Sequence, residues 1–183
     1  MNSLRTSLYP SLLNILAGCF ALVSACVELI GLVLVGVIGE GTLLYWQARA
    51  VSKGQSPKYT NPAVSKTNLL YVTDPSSGPT DEVVVTEDIL SCIRVGRHTS
   101  ARSILGTKTS DTQAAKLASF SMVAFWLDPD AAGDAGAHSG RRKMSLVTAS
   151  RQIVSSVDPK NLSDRAIRNI LQLPPTHKYK VLP

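Results

Sequence analysis

Residues 11–46 read SLLNILAGCFALVSACVELIGLVLVGVIGEGTLLYW, and only Glu28 and Glu40 carry a formal charge among them. Residues 6–27 have no charge at all. A helix needs about 20 such residues to cross a bilayer, so the stretch predicts an uncleaved transmembrane helix within residues 1–46. Two other readings compete with it. A cleaved signal peptide has a shorter apolar core followed by polar residues. A helix apolar all round can also lie buried inside a protein. Leu16-Ala17-Gly18-Cys19 matches a lipoprotein cleavage box, but cleavage before Cys19 leaves a mature terminus that stays apolar almost to Glu40.

The stretch is long for one span. As a straight helix, residues 12–46 would extend about 52 Å, against a hydrocarbon core of about 30 Å. Something must tilt, break or turn, and Gly36, Gly39 and Gly41 are the natural weak points. A re-entrant hairpin is the second reading of the segment. Tyr45 and Trp46 suit an interfacial belt, with Arg49 and Lys53 just beyond. Arg5 stands alone on the amino side, while Arg49, Lys53, Lys58 and Lys66 follow, so the positive-inside bias places the carboxyl-terminal domain in the cytosol. One helix face is small and polar: Ala17, Ala21 and Ala25 form a small-xxx-small repeat that Glu28 continues. That face predicts helix packing, either self-association or docking on another membrane protein, because an unpaired carboxylate at that depth is costly.

Of the 19 Lys and Arg, 17 lie from Lys53 onward, as do 11 of the 13 acids, so this part carries the whole net charge of +6. A positive excess suits anionic partners or plain solubility. Residues 47–66 read as a linker, with Gly54, Ser56, Pro57, Asn61 and Pro62 and no apolar periodicity. Residues 67–183 read as a small β-rich domain. Residues 67–73 (TNLLYVT) and 82–86 (EVVVT) are strand-like and flank the turn cluster DPSSGP at 74–79. Residues 88–95 (DILSCIRV) are a third candidate strand. Residues 119–127 and 142–149 read as a hairpin around a long acidic loop, 128–140. Residues 111–117 suggest a short helix, and Ser163 caps another that ends before Pro174. The expected fold is thus α+β: an N-terminal transmembrane helix, a linker, then a β-rich domain with a C-terminal helix.

No catalytic signature is present: no P-loop, no G-x-S-x-G, no H-E-x-x-H and no dinucleotide fingerprint. Cys19, Cys26 and Cys92 have no disulfide or zinc spacing, and His98, His138 and His177 are scattered. Asp128, Asp130 and Asp134 lack the calcium-loop pattern with its closing Glu and read as solvated. Neither a cofactor nor a metal is expected. Arg94, Arg97, Arg102 and Lys108 fall in an acid-free run, and Arg141, Arg142 and Lys143 form a second basic cluster. Interleaved with hydroxyls, both suit contacts to a phosphate backbone or to lipid headgroups.

The sequence therefore predicts a single-pass, non-enzymatic membrane protein that forms homo-oligomers through its anchor. Its basic cytosolic domain would meet RNA or anionic lipid, a layout shared by viral matrix, movement and accessory proteins. The alternatives are a structural subunit of a larger membrane complex and an oligomeric pore lined by Glu28.

Overall fold

The computed structural model describes residues 32–39, 42–50, 56–57 and 59–174. The chain divides into two compact units, residues 1–64 and 65–183.

In the first unit, β1 (Leu32–Gly39) and β2 (Thr42–Ala50) pair antiparallel in a hairpin, and β3 (Tyr59–Thr60) adds to β2. This corrects the expected transmembrane helix, since its second half is strand. Val33, Val35 and Val37 alternate along β1, and β-branched residues fit a pleated ribbon better than a helix. Gly39 pairs with Thr42, so the chain reverses beside the glycines expected as weak points. Tyr45, expected at a membrane interface, is a buried residue of β2. Among the described residues no helix is long and apolar enough to cross a membrane. The single-pass topology was read from one helix running on to Trp46, and with residues 32–39 and 42–50 as strands that helix does not form. Ala17, Ala21, Ala25 and Glu28 lie outside the described residues.

The second unit is an α/β layer structure, which corrects the β-rich α+β expectation. Its sheet runs β4 (Tyr71–Thr73), β6 (Ser100–Ser103), β5 (Glu82–Thr86), β7 (Met122–Phe125), β8 (Ala149–Gln152). The last four are mutually parallel, and β4 is antiparallel at one edge. Between them come α1 (Ile89–Gly96), α2 (Asp111–Leu117) and α3 (Ala131–Met144), followed by α4 (Asp164–Ile170).

Burial on both sides explains the runs VVV and VAFWL. Val83, Val85, Val123, Phe125 and Leu127 face α2 and α3, with Leu117, Ala137 and Met144. Val84, Ala124 and Trp126 face the opposite way, with Cys92 and Val95 of α1 and Ile167 of α4. Each fully buried Val or Phe contributes about 1.5–3 kcal/mol, so the two clusters dominate the stability of this unit. Parallel strands covered on both faces read as continuous apolar runs, not as alternation.

Two segments expected as strands are helices. Asp88 caps α1 by accepting from the Leu90 and Ser91 backbone N–H groups at 2.9 and 3.0 Å. Ile89, Cys92 and Val95 then line one buried face at helical spacing. Most of the expected acidic loop and the first three residues of the second hairpin strand are instead α3, capped by Asp130, whose Oδ1 accepts from the Gly133 N–H at 2.7 Å. α3 is glycine-rich because it sits close to its neighbours. A Cβ on Gly133 would run into the Asp128 carbonyl oxygen, and one on Gly136 into that of Thr107.

Candidate functional site

The order β6-β5-β7 makes a topological switch point. From β5 the chain passes to α1 on one face, and from β7 to α3 on the other. The two connections diverge and leave a crevice at the carboxyl ends of β5 and β7, the place where open α/β sheets bind ligands. Glu87 follows β5 directly, and Asp128 and Asp130 follow β7.

Five acids gather there. Glu87 is anchored through its backbone: its carbonyl accepts from the Gly106 N–H at 2.9 Å and from Ser103 Oγ at 3.0 Å. Its carboxyl Oε2 is buried with no hydrogen-bond partner, and so is Asp128 Oδ1. Burial, then the charges of Asp128, Asp130 and Asp88, push the Glu87 carboxyl up to about 7, with the Asp128 backbone N–H opposing in part. Burial likewise raises Asp128; Asp158 and Asp88 add to the rise, while Lys160 opposes it. Lys160 Nζ lies 3.0 Å from Asp88 Oδ2, 2.9 Å from Asp158 Oδ2 and 3.4 Å from Asp128 Oδ2. Burial also acts to raise Asp88, but the Lys160 and Ser91 hydrogen bonds outweigh it and hold that carboxyl low. A cleft of about 540 Å³, lined among others by Asp128, Asp130, Asp134 and Gln152, opens beside these groups.

An acidic crevice in a chain of net charge +6 has a specific use. It repels a phosphate unless a cation sits between. Two buried carboxylate oxygens without donors, on residues following adjacent parallel strands, fit a hard divalent cation. They do not form a closed cage. Among the described residues no three His, Cys, Asp or Glu gather closely enough to enclose an ion by themselves. Magnesium is commonly held by one or two carboxylates, with waters and substrate phosphate completing its shell, and this donor set suits that mode. Glu87, Asp128 and Asp130 are the residues that would hold it.

Neither a family model nor a curated relative matches the sequence. Solved structures do. The chain shares its fold with DNA primase domains. A DNA primase domain from Pseudomonas aeruginosa superposes with a TM-score of 0.62 and 22% identity, over 77% of this chain and 50% of that one. The Aquifex aeolicus primase, comprising zinc-binding and RNA polymerase domains, gives 0.61 and 19%, over 77% and 40%. The DnaG catalytic core gives 0.61 and 18%, over 77% and 50%. The chain thus spans half or less of these three primase structures, and at these identities the likeness is one of fold. It overturns the expected membrane-anchored, non-enzymatic accessory protein, together with the membrane-subunit and pore readings, because the fold is shared with part of the DnaG catalytic core.

Against this primase-type fold, the expected basic face divides. Arg94 donates to the Leu162 carbonyl at 2.9 and 3.0 Å and pairs with Asp164 at 3.1 Å, fastening α1 to α4. Arg102 pairs with Asp74 at 3.0 Å and lies 5.2 Å from the centre of the Phe120 ring. Lys143 pairs with Asp111 at 2.5 Å, joining α3 to α2. Arg97, Lys108 and Arg142 are exposed, Arg141 is half-buried, and none of the four makes a close ion pair among the described residues. Arg141 and Arg142 line an open groove of about 1060 Å³ at the far end of α3.

Sequence reasoning missed Glu87, Asp88, Asp158 and Lys160, and it assigned Asp128 and Asp130 to a solvated loop. Asp128 is half-buried in the crevice, while Asp130 is exposed and caps α3. The available signal was a repeated pattern: an apolar run followed at once by acids, VVVT-Glu87-Asp88 and VAFWL-Asp128-Pro129-Asp130.

Proposed function

We propose that residues 65–183 form the cation-dependent catalytic part of a nucleic-acid enzyme, acting on phosphodiester or nucleotide phosphate in nucleotidyl transfer. The observation that carries this reading is the pair of orphaned buried oxygens, Glu87 Oε2 and Asp128 Oδ1, at the switch-point crevice. The primase-type fold supports it. A divalent cation bound there would take phosphate oxygens as ligands and neutralise charge developing on them. Glu87 and Asp128 hold their carboxylates toward that position, and Asp130 adds negative charge from the N-cap of α3. Lys160 and the Asp88 cap keep the surrounding acids from repelling one another apart. The nucleic acid itself, DNA or RNA, meets the exposed Arg97, Lys108 and Arg142 and the half-buried Arg141 through its phosphates.

Anisotropy titration of a fluorescent single-stranded oligonucleotide with the full chain tests this. Mn²⁺ is expected to tighten binding at least tenfold over EDTA. Asp128→Asn removes that gain and leaves the salt-sensitive, metal-independent binding in place. Equal affinity with and without Mn²⁺ in the wild-type chain would refute the reading.

A further inference from the structure

Lys160 is the one cation inside the acidic crevice among the described residues. We propose that its ammonium group is a built-in cation, filling the inner position among Asp88, Asp128 and Asp158 so that the crevice has one open cation position, at Glu87 and Asp128. The inference rests on the cation-binding reading given above and adds which positions are open.

Three facts carry it. First, the ammonium has three N–H donors, and three carboxylate oxygens converge on it at 2.9, 3.0 and 3.4 Å. Its side chain is only 14% exposed, so the group is committed to the crevice and not to solvent. Second, its place is fixed by the backbone. Lys160 sits in the 3-10 turn Pro159–Asn161, where Pro159 is buried and the Leu162 carbonyl receives the Arg94 guanidinium of α1. Third, Asp128 faces two ways. Its Oδ2 meets Lys160, while its Oδ1 is buried without a partner. Asp128 thus stands between one filled cation position and one open one.

Sites that act on phosphate commonly pair two cations. Here one of the pair is part of the chain. Unlike a metal ion, an ammonium exchanges no ligands and is present at every ion concentration. Lys160 is therefore a positioning residue, acting through Asp128 and Asp88.

Counting Mn²⁺ bound per full chain, by electron paramagnetic resonance of the free ion, tests the proposal. One ion is expected for wild type, one for Lys160→Arg, which keeps a cation in place, and two for Lys160→Ala. One ion in Lys160→Ala, or two in wild type, overturns the proposal while leaving the open site intact. No bound ion in any of them overturns both this and the reading on which it rests. Lys160→Ala leaves three carboxylates facing one another, so circular dichroism must show it folded. If it is not, the Asp158→Asn/Lys160→Ala pair, which removes one negative charge with the positive one, carries the same count. Two ions are again expected, and one overturns the proposal.

Discussion

Replacing Glu87 by Gln separates what the crevice costs from what it does. Burial and the neighbouring carboxylates raise this carboxyl from 4.5 to about 7. Below pH 4.5 the folded and unfolded chains both hold the proton, and nothing is lost. As pH rises toward 7 the unfolded chain releases it first, so the penalty on the folded state grows and is complete above the folded value. At 1.36 kcal/mol per unit the full shift amounts to ~3 kcal/mol. The carboxyl is only half-buried, and solvent screening reduces this to ~1.5 kcal/mol. Glutamine has the same shape and no charge. In EDTA at pH 8, Glu87→Gln is therefore expected to be more stable than wild type by ~1.5 kcal/mol in urea unfolding followed by circular dichroism. At pH 4.5 or below the two should coincide. Saturating Mn²⁺ at pH 8 reverses the order, since a ligand stabilises only the chain that binds it. A variant no more stable than wild type at pH 8, or equally favoured at both pH values, would refute the electrostatic account of the crevice.

Two further outcomes follow from packing and capping. Gly133→Ala brings a methyl group onto the Asp128 carbonyl; thermal melting should drop by an amount typical of core overpacking, about 1–3 kcal/mol, and calorimetry should show weakened Mn²⁺ binding. Ser110→Ala removes the capping box of α2, in which Ser110 Oγ accepts from the Gln113 N–H at 3.0 Å and the Gln113 side chain accepts from the Ser110 N–H at 2.9 Å. A loss of about 1 kcal/mol in urea unfolding, with Mn²⁺ binding unchanged, is expected.

What could be read from the sequence follows the locality of each signal. β5 occupies residues 82–86 and α2 residues 111–117, as expected, and Ser163 caps α4. These rest on short-range rules such as β-branched runs and a hydroxyl before a helix. The failures share a different cause. DILSCIRV holds two isoleucines and a valine, so short alternation imitates a strand, and only the Asp88 cap and the spacing of Ile89, Cys92 and Val95 favour the helix. The segment 131–140 has three glycines, which locally argue for a loop; their reason is tertiary, the contact of α3 with residues 107, 125 and 128. In residues 32–50 total hydrophobicity outweighed β-branching, and pairing across the hairpin decided the outcome. The site was hidden for a similar reason. Glu87 and Asp128 are 41 positions apart in the sequence, and only the parallel pairing of β5 with β7 brings them to one crevice. Asp128 and Asp130 do not follow the pattern of a contiguous calcium loop, which is a different arrangement of the same ligand type.

The glycine seam of α3 bears on how this protein can change over time. A helix seated on side chains inherits their rotamer freedom, and each substitution at the contact reseats it. α3 instead meets the rest of the unit where Gly133, Gly136 and Gly140 bring its main chain against two carbonyls and the Phe125 ring. The carboxylates at its amino end thus take their position from backbone. The outward residues of the same helix, His138 and Arg142, are both exposed. They are free to drift among lineages, and with them whatever the outer surface binds, while the spacing of Glu87, Asp128 and Asp130 stays the same.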